Sequence, residues 1–155
     1  MADTRPIDAR GWRFEVQDST ADPDVWLPIA GIDTWNYNPA ENEETTETVA
    51  FDSEGQFEQD VMQRGASLSI EGKYRVHKTT KLRDPGQAYI DDDWTERVGF
   101  ESRNKIRYRH EIQTAWRVWE ATVSPGEQGG SSNDKTSWSA TFTRCGHATT
   151  MAVTP

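Results

Sequence analysis

The sequence predicts a mainly β domain: two packed antiparallel sheets, as a sandwich or partly closed barrel, with one flanking α-helix. Three observations predict it. Apolar residues alternate with polar ones over most of the chain, the period of a half-buried strand. Aromatic residues are plentiful, with seven Trp, five Phe and four Tyr, and such residues favour strands. Only one segment repeats its apolar residues every four positions behind a good cap. At 155 residues the chain is long enough for one domain with a sizeable core.

In order, Trp12, Phe14 and Val16 alternate with Arg13, Glu15 and Gln17, giving the first strand. A polar loop over 19–24 contains Pro23. Strands at 25–29 and 32–37 follow, separated by Ala30-Gly31, and Pro28 marks the first as short or at an edge. The composition then shifts. Between 41 and 60 the acids Glu41, Glu43, Glu44, Glu47, Asp52, Glu54, Glu58 and Asp60 meet no Lys or Arg. Thr45, Thr46, Thr48, Val49 and Phe51 in the same stretch favour strands. Two readings stand: a solvated acidic loop, or a hairpin arm that a partner subunit orders.

The clearest strand is 66–77, with Leu68, Ile70, Gly72, Tyr74 and Val76 on one face and Ser67, Ser69, Glu71, Lys73, Arg75 and His77 on the other. Gly72 suggests a bulge or a bend. A helix starts at Asp84, with Pro85 in its first turn and Gln87 at capping-box spacing. Ile90, Trp94 and Val98 form its apolar stripe, and Gly99 stops it after three to four turns. Asp91, Asp92 and Asp93 read as a solvated run favoured by the helix dipole. Strands return at 105–112, at 115–123 (apolar on both faces) and at 135–144, where Trp138, Ala140 and Phe142 oppose Ser137, Ser139, Thr141 and Thr143. A short strand after Gly146 completes the count.

The net charge of -9 and pI near 4.8 argue against a protein that wraps nucleic acid on a basic face. They are compatible with a wall that lets phosphate slide past. The single Cys145 allows no internal disulfide, which suits a reducing compartment. No apolar run has the length of a membrane span, and residues 1–11 lack a signal-peptide core. Cys145 and His147 stand too far from other ligand types for a zinc site, and His77 and His110 are isolated. No nucleophile triad, P-loop or dinucleotide glycine pattern occurs. No catalytic residue, metal or cofactor is expected.

The charges are segregated. Lys73, Arg75, Lys78, Lys81 and Arg83 form one basic stretch, and Arg103, Lys105, Arg107 and Arg109 another. They are either ordinary solvated faces or the counterpart of the acidic 41–60 stretch in a head-to-tail contact between identical subunits, the kind that builds rings and filaments.

The order of several segments carries a resemblance: Gly31-Ile32-Asp33-Thr34-Trp35; the acidic, Thr-rich stretch ending Phe51-Asp52-Ser53-Glu54-Gly55; Arg64-Gly65-Ala66 leading into the strand through Gly72; Arg83-Asp84-Pro85-Gly86-Gln87; and Trp138-Ser139-Ala140-Thr141-Phe142 before Gly146. This order, over residues 11–146, resembles the tail tube, or major tail, proteins of siphophages and related prophages. The resemblance implies a structural virion protein of the tail, assembled in the host cytoplasm. Its subunits would form homohexameric rings that stack into a tube and conduct DNA during ejection without binding it specifically. Partners would be copies of itself, the tape measure protein and the tail terminator and initiator proteins, with no membrane.

Carried onto this chain, the resemblance makes residues 38–60 an inter-subunit arm, with Glu41, Glu43, Glu44, Thr46, Glu47, Phe51, Asp52 and Glu54 its contacts. Ring-forming strands would come from 66–77, 105–112 and 115–123, with Lys73, Arg75, Arg107, Arg109, Trp116, Val118 and Trp119 as candidates. Glu71, Glu111 and Glu120 are the candidate lumen acids. Two alternatives share the composition: the inner tube protein of a contractile tail or injection system, and a carbohydrate-binding β-sandwich using its Trp residues as stacking platforms.

Overall fold

The computed structural model describes residues 3–20 and 25–153. Most of the polar loop expected at 19–24 lies outside them. The strands are β1 (Trp12–Gln17), β2 (Trp26–Pro28), β3 (Ile32–Asn38), β4 (Glu44–Glu47), β5 (Gln59–Gln63), β6 (Ser67–Lys73), β7 (Asn104–His110), β8 (Ala115–Pro125), β9 (Ser137–Arg144) and β10 (Thr149–Ala152), and the helix is α1 (Pro85–Asp92). They form two antiparallel sheets. The larger runs β2-β1-β7-β8-β9-β6-β3, with β10 beside β8, and the smaller is the ribbon β4-β5.

The large sheet curls so that its two halves face each other. Trp35 of β3 packs 4.6 Å from Trp12 of β1, although four strands separate β3 from β1 along the sheet. Tyr37 of β3 likewise meets Tyr108 of β7 and Trp119 of β8. Between the halves lies the core of Phe14, Val16, Leu68, Ile70, Ile106, Trp119, Trp138 and Phe142. This is the expected β domain as a curled sheet and a ribbon. It does not close as a barrel, since β2 and β3 end the path without pairing to each other.

Gly72 explains how tightly the curl closes at one end. A Cβ there would collide with the carbonyl of Gly31, and the β3–β6 register shifts between Ile32 and Thr34 at that point. The strand ends at Lys73 rather than 77, so Val76 is exposed. The chain is drawn off the sheet by Gln87 of the helix. Its buried amide donates to the carbonyls of Ala30 and Lys73 (2.9 Å each) and accepts from the amide of Arg75 at 3.0 Å.

The helix starts as expected. Asp84 accepts a hydrogen bond from the Gln87 amide at 3.2 Å, and Pro85 occupies the first turn. Gln87 does not close a capping box, because its side chain serves the sheet. The helix also ends early, at Asp92, and continues only as a tight turn over Trp94–Glu96. Three consecutive Asp and nearby Thr95 are poor helix formers, and Trp94 is held elsewhere. Its indole donates to the Ser102 carbonyl at 2.7 Å and stacks on Phe142. Ile90 and Trp94 are therefore buried, while Val98 leaves the stripe and is exposed.

The Asp run is likewise corrected. It lies at the end of the helix, where the dipole disfavours acids, and all three members are paired with arginines, Asp92 at the longest distance, 3.8 Å from Arg83. Asp91 binds Arg83 at 2.7 Å, the Trp138 indole and Gln128. Asp93 binds Arg97.

Candidate assembly surfaces

Residues 44–63 form the ribbon, whose two strands pair only with each other among the described residues. Thr48 extends the ladder by donating to Glu58. The tip is a short turn, Phe51–Ser53, closed by left-handed Glu54 and Gly55. Glu41, Glu43, Glu44, Thr46, Glu47, Phe51, Asp52 and Glu54 are all exposed. Phe51 is fully so, and Phe57 and Met62, which no local period singles out, are about two-thirds exposed. The second strand reaches Gln63, beyond the expected limit of 60. At the root, Arg64 pairs with Glu43 at 3.3 Å and Asn38 donates to Glu41 at 2.7 Å.

The outward surface of the large sheet divides in two. On the β1-β7 side, alternation sets Arg13, Glu15, Arg107 and Arg109 outward, because Phe14 pairs with Tyr108 and Val16 with Ile106 inward. Arg107 binds Glu15 at 2.8 Å and lies between the rings of Trp26 and Trp116, 4.3 Å from each. Arg109 also covers Trp116. Such guanidinium–indole contacts stabilise a partly desolvated cation. Trp26 and Glu15 complete this stack, and only the pairing of β1 with β2 and β7 brings them there.

On the β9-β6-β3 side the outward row is short and nearly neutral. Thr143, Thr141 and Ser139 of β9 lie beside Ser67, Ser69 and Glu71 of β6, which lie beside Asn38, Asn36 and Thr34 of β3. Ser69 and Thr141 are within hydrogen-bond distance at 3.3 Å. Thr122 and Ser124 of β8 continue the field. The period-2 placement of Ser and Thr in two strands carried this signal; adding β3 and β8 to the same face required the register.

The candidate ring residues are scattered by this arrangement. β6, β7 and β8 lie inside the sheet, each flanked by strands on both sides, whereas β2 and β3 are its edges. Trp119 is fully buried in the core of its own chain, and Trp116 and Val118 are buried on the outward side. Lys73 ends β6 and pairs with Asp33 at 3.3 Å, and Arg75 is exposed just beyond it. Of the candidate lumen acids, Glu71 and Glu120 share the outward surface of the continuous sheet. Glu111 does not: it sits in the turn after β7 and pairs with Arg13.

At the end of the sheet nearest the ribbon, the curl opens into a cleft of about 760 Å³ lined by Trp12, Trp35, Tyr37, Tyr108, Ile112 and Arg117. Burial pushes the Tyr108 hydroxyl up to about 12, with the neighbouring Tyr37 adding to the effect. None of the seven Trp is exposed. Cys145 contacts the Thr143 carbonyl. Among the described residues, no group of three His, Cys, Asp or Glu could hold a metal ion, and no helix is long and apolar enough to cross a membrane.

A solved tail chain matches this architecture over nearly its whole length. It belongs to the tail of an empty gene transfer agent particle, refined helically with C6 symmetry: TM-score 0.65, 14% identity, 95% of this chain and 100% of that one. The chain has the fold of a particle-tail protein. A chain from the virion of the native gene transfer agent particle agrees, with TM-score 0.63, 15% identity and the same coverage. No protein-family model matches the sequence, and no curated protein matches it.

Proposed function

We propose that this chain is a tail tube subunit of a phage or phage-like particle, and that its copies form six-membered rings stacked into a conduit for DNA. The observation that carries the reading is the full-length fold match to a chain of a tail with C6 symmetry. The exposed ribbon supports it, because an isolated two-stranded ribbon is marginally stable in water and gains most from a partner. The role proposed is structural, not enzymatic. The tube's other partners would be the proteins that start it, cap it and set its length.

Within that reading, the hydroxyl face of β9-β6-β3 is assigned to the lumen. Short neutral side chains cover most of that face, its one lysine, Lys73, is already paired with Asp33, and Glu71 adds repulsion towards DNA phosphates. The Arg107 stack is unsuited to a conduit wall, since cations hold phosphate. The carbohydrate-binding alternative is not favoured, because Trp12 and Trp35 pack on each other and Trp26 is covered by Arg107.

Negative-stain electron microscopy of the concentrated protein tests the assembly. Hollow tubes or rings with sixfold averages are expected; a chain that stays monomeric at every concentration overturns the proposal. The lumen assignment is tested with Cys145→Ser carrying either Asn36→Cys or Glu71→Cys. A bulky polymer-linked maleimide should label both in free subunits and neither in tubes. Equal labelling in tubes places the face outside.

A further inference from the structure

We infer that the acidic ribbon of one copy seats on the basic turn at residues 75–83 of the next, joining copies head to tail along the direction of β6. The inference deepens the tube reading and rests on it. The two surfaces lie at opposite ends of the same strand. The ribbon leaves the sheet at Asn38 and returns at Ser67, which pair with each other at one end of β3 and β6. The basic turn follows Lys73 at the other end. A seven-residue strand at about 3.3 Å per residue holds them roughly 20 Å apart. A surface and its complement so placed are satisfied by translation to the next copy, a heterologous contact that propagates without closing.

The charges are available on both sides. Among the described residues, Glu44, Glu47, Asp52, Glu54, Glu58 and Asp60 have no ion pair, and neither do Arg75, Lys78 and Lys81. The acids near the turn are already committed. Asp33 holds Lys73, Asp91 and Asp92 hold Arg83, and Asp84 caps the helix. The turn is also preorganised. His77 donates its amide to Leu82 at 2.7 Å, its Nδ1 accepts from the amides of Thr79 and Thr80, and Lys81 adopts a left-handed φ of 62°. An ordered receptor loses little entropy on binding.

The apolar groups match as well. Val76 and Leu82 are exposed beside Ala30 and Pro85, around a hollow of about 370 Å³ rimmed by Arg75 and Arg83. The ribbon supplies a fully exposed Phe51 and an open Phe57. An aromatic ring in that hollow, ringed by carboxylates facing Arg75, Lys78 and Lys81, gives an apolar centre with a charged rim.

The test is a charge swap read by sedimentation and electron microscopy. Lys78→Glu with Lys81→Glu, and separately Glu47→Lys with Glu54→Lys, should each leave the melting curve unchanged and raise the concentration needed for assembly by about tenfold or more. An equimolar mixture of the two variants should restore assembly, because each then offers what the other lacks. A milder Lys78→Gln, Lys81→Gln variant should weaken assembly without a like-charge clash, and Phe51→Ser should do so without any change of charge. If either swapped variant assembles like the parent, or if the mixture does not recover, the docking is wrong and the tube reading stands. If the parent itself never assembles, the tube reading fails first.

Discussion

The curled sheet and the ribbon are both antiparallel β structure, yet opposite forces govern them. In the sheet every strand but the edge strands is paired on both sides, and its inner face buries Leu68, Ile70, Trp119, Trp138 and Phe142. In the ribbon every strand residue is exposed, and pairing is with a single partner strand. Burial of apolar area drives folding, while backbone hydrogen bonds exchanged with water contribute little net. The sheet therefore carries the stability of the chain. The ribbon carries exposed Phe51, Phe57 and Met62 for which its own chain has no place.

The largest effect that would sharpen this contrast is at Trp138. Trp138→Ala removes a fully buried indole bonded to Asp91 and should lower unfolding free energy by about 3–5 kcal/mol, read by denaturant titration. A smaller loss, about 2 kcal/mol, is expected for Gln87→Ala. It leaves the Ala30 and Lys73 carbonyls and the Arg75 amide without their partner at the end of the curl, each a buried or half-buried group.

The third effect is a pH slope. Tyr108 titrates at about 12 in the folded chain against 10.0 for a free Tyr. Between those values the folded state holds a proton that the unfolded state has released. Stability should therefore be unaffected by this group below pH 10 and fall as pH rises towards 12. Tyr108→Phe should show a shallower decline over the same range in thermal melts.

The smallest effect belongs to the ribbon. Deleting residues 49–56 and closing Thr48 to Phe57 with two glycines should shift unfolding free energy by less than about 0.5 kcal/mol, while abolishing assembly. Hydrogen exchange should show ribbon amides unprotected in the free chain and protected in tubes. A ribbon as protected as β6 in the free chain would erase the contrast on which this division of labour rests.

Local patterns made most strands legible. Alternation at Trp12 to Gln17, at Ser67 to Lys73 and at Ser137 to Arg144 coincides with β1, β6 and β9, because burial on one face imposes period 2 directly on the residues. The helix start was legible for the same local reason: Asp84 and Pro85 are adjacent in sequence and act on adjacent backbone. The helix end was not, because it is set by where Trp94 finds Phe142 and Ser102, residues that no local period points to. Asp91 was misread for the same cause, its partner Trp138 lying 47 positions away. The acidic stretch was legible as a run of one charge, but which basic side chains stay unpaired was not, because that depends on the fold.

A β domain with one capped helix, an aromatic core and segregated charge is written in the chain itself. Those properties follow from spacing and composition, which act through neighbours along the chain. Tertiary structure alone decided which charges remain free. Arg107 is taken by Glu15, Trp26 and Trp116, whereas Arg75, Lys78 and Lys81 project from a turn at the far end from the acidic ribbon. Ion pairs act over a few ångströms of space, and distance in space is fixed by strand order and register, not by position in the sequence.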